Sequence, residues 1–229
     1  MSVNESALNG EWEFDPAHTR IGFSARHAMV TTVRGSFNDI QGSFHADLED
    51  MTKSHASVIL KAASIDTRNQ QRDDHLRSPD FFDVERWPEL SFHSTQIEEV
   101  EENAYMISGD LTIRDVTRSI VIPLALVGVE VDAFGLTRAG FEGSRRINRR
   151  DFGLEWNMPL DSGGLLVSER ILLEFEISAI KQGVQDAGDA EDGEPAGEQS
   201  EGQQGEGQQG EGDQHEQGDQ HEQGDHEGE

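Results

Sequence analysis

TRNQQRDDHLRSPDFFDVERWPELSFHS, residues 67–94, is the one stretch of the chain that reads as helical between strands. Thr67 followed three residues later by Gln70 fits a capping box, in which hydroxyl and amide each satisfy an orphan backbone donor, so a helix is predicted to start there. It cannot pass Ser78, because Pro79 pushes its predecessor out of the α region. Ser78-Pro79 then reads as the cap and first residue of a second short helix. Phe81 and Phe82 sit there beside Asp80 and Asp83. The first helix has Leu76 as its one large apolar residue among Arg68, Arg72, Asp73, Asp74, His75 and Arg77. Such a helix lies as a flap over something else and cannot centre a helical bundle.

What it covers is legible on either side. Upstream, Ile21, Phe23, Ala25 and His27 alternate with polar or small residues, a half-buried strand that turns His27 inward. Phe37 and Phe44 have opposite parities with Gly42 between them, so a bend near Gly42 is expected to bring both rings to one face. Ala56, Val58, Leu60 and Ala62 alternate again. Downstream, 90–96 and Tyr105, Ile107, Gly109, Leu111 and Ile113 read as an antiparallel pair around the acidic loop 98–103. The stretch 120–129 is apolar on both faces, one suited to an interior and the other to a dimer contact. Two further alternating runs follow at 137–147 and 167–179. About eight strands at this spacing, with one helical insertion, predict an antiparallel sandwich or barrel. Ala25, Ala56, Ala62, Gly109, Ala139 and Gly143 on the inner faces favour a cavity over a filled interior.

Composition divides the chain near residue 182. Beyond Lys181 there is no Lys, Arg or aromatic residue and only Val184 as a larger aliphatic one. This tail cannot bury enough apolar area to offset its ordering entropy, so 182–229 is predicted to be disordered, 1–10 flexible and 11–181 folded. The tail holds 16 of the 46 acids, which leaves 30 against 18 bases in the rest of a chain of net charge −28. That balance argues against nucleic acid as a partner, since phosphates reward clustered Lys and Arg. The absence of cysteine excludes disulfides, Cys-type zinc sites and thiol nucleophiles. No apolar window is long enough for a spanning helix, and the start MSVNESALNGEWEF has neither a basic nor an apolar leader region, which predicts a cytoplasmic, non-spanning protein. No G-x-S-x-G, P-loop, H-E-x-x-H or strand-to-helix G-x-G-x-x-G is present.

Several separated patches coincide: Asp15-x-x-His18-x-x-Ile21-x-Phe23, Gly35-x-Phe37, Ile65-Asp66-Thr67, Arg72-Asp73-x-His75-Leu76-Arg77-Ser78-x-Asp80-Phe81-Phe82-Asp83, Pro88-x-Leu90-x-Phe92, Gly109-Asp110-Leu111-Thr112-Ile113 and Arg149-x-Asp151-Phe152-Gly153. Together they resemble the YceI family of lipocalin-like lipid-binding proteins. The resemblance covers residues 11–180 and is most specific from 72 to 83. It implies a mainly β fold: an eight-stranded antiparallel lipocalin-like barrel with its helical insertion near 68–83, followed here by the acidic tail. It also implies a tunnel for an isoprenoid or other long-chain lipid, a homodimer, binding without catalysis and no cofactor. The tail is foreign to that pattern.

On this resemblance the tunnel is expected to be lined by Phe23, Phe37, Leu60, Leu76, Phe81, Phe92, Leu111, Ile113, Ile122, Leu124, Phe141, Phe152, Leu173 and Phe175, against the plainer reading of core packing. Burial at about 25 cal/mol per Å² lets a few isoprene units bind without polar contacts. His18, His27, Arg145 and Arg149 are candidates for a polar head group. Two other functions compete. A lipid-modifying enzyme would use His18, His27 or Asp73 with His75, although residues two apart on a helix do not face each other. A stress or metal-buffering protein would act through the tail, whose QQGEG repeats are followed by two DQHEQG repeats and a shortened DHEG copy that set His215, His221 and His226 beside carboxylates.

Overall fold

The computed structural model describes residues 5–161 and 163–183, and the expected disordered tail lies outside them except for Gln182 and Gly183. The described residues form one sheet closed on itself. Three of its lines are each broken into two strands. β1 (Gly10–Phe14) and β2 (Arg20–His27) follow one another along β11 (Val167–Lys181), Phe14 facing Ala179 and Arg20 facing Glu176. β3 (Thr31–Phe37) with β4 (Ile40–Ala46), and β5 (His55–Lys61) with β6 (Ile65–Asp66), make the next two. β7 (Glu89–Glu101), β8 (Ala104–Ile113), β9 (Val116–Val131) and β10 (Thr137–Asn148) complete the wall. Counted as lines, eight antiparallel strands stand each beside its chain neighbour, and the β1 to β11 pairing closes the barrel.

The breaks decide which side chains face inward. No register shift occurs at Gly42, which pairs with Val58 in an unbroken ladder. The parity change that brings Phe37 and Phe44 to one face comes instead at 38–39, between β3 and β4. In β9 and β10 the register shifts at Gly140/Phe141, leaving Val127 without a partner. The inward positions of β9 therefore change from Ile122, Leu124 and Leu126 to Val129, and Val121, Val127 and Val131 are exposed.

One end of the barrel is plugged. In the segment 1–10, read from the sequence as flexible, Glu5–Leu8 form a 3-10 turn and Leu8 is buried. The Trp12 indole N–H donates to the Leu8 carbonyl (2.7 Å), and its ring stacks on Phe44 at 5.6 Å. Lys181 Nζ donates to the Ala7 carbonyl (2.7 Å) and lies over the Trp12 ring.

The other end carries the flap. α1 (Gln70–Arg77) is capped by Asn69, whose side chain accepts from the Arg72 N–H, and not by Thr67. Thr67 is buried, and its backbone N–H and hydroxyl both donate to the Asp73 carboxylate. The capping box fails because Asn69 reaches the first turn from a better position, which frees Thr67 to anchor the helix from beneath. The second short helix is replaced by hydrogen-bonded turns, with Phe81 and Asp83 N–H both donating to the Ser78 carbonyl.

At this same end β9 and β10 part. Their ladder stops at Gly143 opposite Leu124, so residues 144–148 pair with β11 alone and 116–123 with β8 alone. Pro123 explains the stop, since it has no N–H to continue the ladder. Gly143 lies so close to the Pro123 carbonyl that a Cβ would collide with it. The 3-10 turn Arg149–Phe152 bridges the gap and ends at Gly153 in the left-handed conformation (φ 74°). Arg118 Nε donates to the Asp151 carbonyl (3.1 Å) across it.

Candidate functional site

Among the described residues the barrel interior holds two adjoining cavities. The smaller, about 160 Å³, fills the plugged half and is lined by side chains that are almost all apolar, among them Phe14, Phe44, Leu60, Phe92, Tyr105, Ile107, Ile122, Phe141 and Ile177. The larger, about 690 Å³, lies beneath α1 and is lined by Phe23, Leu76, Phe81, Phe82, Ile147, Leu154, Trp156 and Ile171, with His27, Arg72, His75 and Arg149 as polar members. Phe37, Leu90, Ile113 and Leu173 line both, so they form a waist between the two spaces. β-sheet alternation produces this interior directly: Tyr105, Ile107, Leu111 and Ile113 are every second residue of β8, and Phe141, Phe175 and Ile177 meet them from across the barrel.

All the apolar residues expected at a tunnel line one cavity or the other, except Phe152. Its side chain is 2 % exposed and packs into the core under the 3-10 turn that bridges β9 and β10. The polar candidates divide. His27 lies at the rim of the larger cavity and stays exposed. His18 touches neither cavity; it is on the outside, its ring 2.6 Å from an Asp15 carboxylate oxygen, because residues 16–18 are the exposed turn between β1 and β2, while Asp15 and Thr19 on either side are bonded to Ser178 of β11. Arg145 has the parity of an inward residue, yet it is exposed and lines neither cavity, because β10 has lost its β9 neighbour at that level.

Arg149 is the buried cation of the site, 4 % exposed and on the wall of the larger cavity. Its Nε donates to the Ser168 carbonyl (3.1 Å) and its Nη1 to the Leu154 carbonyl, while Nη2 forms no hydrogen bond among the described residues. Burial pulls its pKa below the usual value; the Glu169 charge opposes this and Arg150 reinforces it. A cation held by backbone carbonyls alone is suited to an acceptor brought by a ligand.

Asp73 and His75 are not brought together as a catalytic pair. Asp73 takes its bonds from Thr67, and His75 Nε2 lies 2.9 Å from Asp80. The His75 ring stands edge-on to Phe81 and Trp156, which ties the helix to the loop after Gly153. Among the described residues no group of His, Asp or Glu is arranged to hold a metal ion, and no helix is long and apolar enough to cross a membrane. The histidines of the tail lie outside those residues.

A family model described as the YceI-like domain matches residues 12–179. The chain belongs to the YceI-like family. Among YceI-like relatives, a UPF0312 protein of Photorhabdus laumondii is 38 % identical over 173 residues, covering 75 % of this chain and 88 % of the relative. A UPF0312 protein of Staphylococcus epidermidis is 34 % identical, covering 74 % and 95 %. Among solved structures, the YceI protein of Campylobacter jejuni aligns with a TM-score of 0.57 at 27 % identity, covering 69 % of this chain and 90 % of that one. A polyisoprenoid-binding domain of Saccharophagus degradans shares the fold with a TM-score of 0.59 at 13 % identity, covering 75 % and 98 %.

Sequence reasoning missed part of the YceI-like cavity. Tyr105, Ile107 and Ile177 carry the same parity as nominated neighbours, so alternation alone would have found them. Trp156 sits in a loop without period, and only its being a large aromatic just past Gly153 marks it.

Proposed function

We propose that this protein binds and carries a long-chain amphiphile, a polyisoprenoid or fatty-acid-like lipid, without catalysing a reaction on it. The apolar chain occupies the larger cavity and passes the waist of Phe37, Leu90, Ile113 and Leu173 into the smaller one, and α1 covers it. The observation that carries this reading is the pair of apolar cavities meeting at that waist inside a closed barrel. The polyisoprenoid-binding domain of similar fold supports it. Arg149 supports a polar head at the flap end, because it lines the larger cavity with one nitrogen unbonded. The expected tunnel residues then act as lining, with Phe152 as a support behind it.

The test is mass spectrometry of the full-length protein, native and after organic extraction. A discrete co-purifying lipid, or stoichiometric uptake of an added prenyl alcohol or fatty acid, supports the carrier. A clean unliganded mass with no uptake of either overturns it.

A further inference from the structure

Exposed apolar side chains collect at two places on the described surface. At the flap end, Met29 (67 % exposed) and Val30 (77 %) stand at the tip of the β2 to β3 hairpin, with Met158 and Leu165 also exposed nearby. The Ala28 N–H donates to the Leu166 carbonyl (2.7 Å) and the Leu166 N–H to the Met158 carbonyl (2.9 Å), so hairpin and loop form one rim. Arg26, His27, Leu166 and Val167 continue that rim into the wall of the larger cavity.

The tip is strained as well as exposed. Ala28 and Met29, in the three-residue loop between His27 and Thr31, both have positive φ (49° and 59°), a left-handed conformation that Gly or Asn adopts at less cost. Apolar side chains on such a turn, open to water, contribute nothing to the fold that offsets its cost. The charge is also unusual. Residues 16–38 hold Arg20, Arg26 and Arg34 and no Asp or Glu, in a chain of net charge −28. Arg26 and Arg34 are exposed, and among the described residues neither forms an ion pair. The second apolar group, Val127, Val131 and Phe134, is at the plugged end beside Glu130, Asp132 and the four acids of 98–102, which repel anionic head groups more than the one acid, Asp161, that stands between Met158 and Leu165.

We propose that the 28–30 tip, with Met158 and Leu165, is a membrane-docking rim. Met29 and Val30 enter the boundary between head groups and acyl chains of an anionic bilayer, and Arg26 and Arg34 meet its phosphates. This places the mouth of the larger cavity against the lipid, and it goes beyond ligand binding because the contact needs no occupied barrel.

The test is co-sedimentation of the full-length protein with vesicles of phosphatidylcholine, with and without phosphatidylglycerol. The expected result is binding to the anionic vesicles that weakens with salt and falls roughly tenfold or more in the double variant Met29→Ser/Val30→Ser. Phe134→Ser leaves it unchanged. Uptake of a dispersed prenyl alcohol by the double variant stays at the parent level, which separates loss of docking from loss of the carrier function. No binding to either vesicle overturns the proposal, as does equal loss in Phe134→Ser. Self-association that the hairpin substitutions abolish, with no vesicle binding, also overturns it and assigns the tip to a second copy of the chain.

Discussion

The His75 imidazole stands at 89° to the indole of Trp156, with 4.5 Å between ring centres. This contact joins the flap helix to the loop beyond Gly153 across the top of the larger cavity. Trp156 also leans on Phe81 at 5.4 Å.

Removing the indole therefore loosens the flap before it affects the barrel. Two aromatic contacts at about 0.5–1.5 kcal/mol each predict a loss of roughly 1–3 kcal/mol of local stability in Trp156→Ala. Amide hydrogen exchange checks this: the amides of α1 exchange roughly fivefold or more faster, while those of β8 and β11 keep their rates. Uniform acceleration across the barrel would contradict it.

Arg149→Met replaces the buried cation with a side chain of similar length. A charge-assisted bond of about 1.5–3 kcal/mol predicts a loss of roughly tenfold or more in affinity for a long-chain carboxylic acid. A prenyl alcohol of matched length is affected less. The ratio of the two affinities is the readout, because loss of the bonds to the Ser168 and Leu154 carbonyls lowers thermal stability for either ligand alike.

Ile113→Trp fills the waist. Overpacking costs about 1–3 kcal/mol of stability, so the variant is expected to fold with a lower melting temperature. Long chains that must reach the smaller cavity then lose affinity, and short ones that stay in the larger cavity keep it. Titration with a chain-length series measures the difference, and equal losses at every length would show that the waist is not on the path.

Acid stability depends on Arg138, which donates to Asp15 and Asp132 at 2.5 and 2.6 Å. Burial raises the Asp15 pKa, but the bonds from Arg138, His18 and the Ala17 N–H outweigh it and hold it below 3.8; the Arg138 bond does the same for Asp132. A carboxyl whose pKa is depressed by folding contributes stability that is complete above the unfolded value and is lost as pH falls through the folded one. The protein should thus lose stability as pH drops below about 3.8, and Arg138→Gln should move the acid-unfolding midpoint, followed by circular dichroism, to higher pH.

Alternation made the wall of the barrel legible in advance: Phe23, Leu111, Phe141 and Phe175 line its interior as their parity requires. Parity states a face but not what stands beside it. Arg145 has an inward parity and is exposed because its ladder to the neighbouring strand stops at Pro123, a fact held in another part of the chain. The bend that unites Phe37 and Phe44 was sought at the glycine and occurs at Asn38-Asp39, where the ladder breaks without any residue that demands it. The flap was visible through Pro79 and the 72–83 motif, but Asn69 and Thr67 competed for one cap, and only tertiary contact with Asp73 separates their roles.

Where β9 and β10 part below Gly143, the circumference of the barrel is not fixed by backbone hydrogen bonds. Widening that half breaks no ladder bond among the described residues, and the bonds from Arg118 to the Asp151 carbonyl and from Arg114 to the Gly153 carbonyl are the polar contacts that have to give. The plugged half, closed all round, has one girth. The flap half is thus built as an expansion joint: on the proposed carrier reading a bulkier occupant would be admitted there by elastic opening of the wall, with girth selected at the plugged end and variety tolerated at the other.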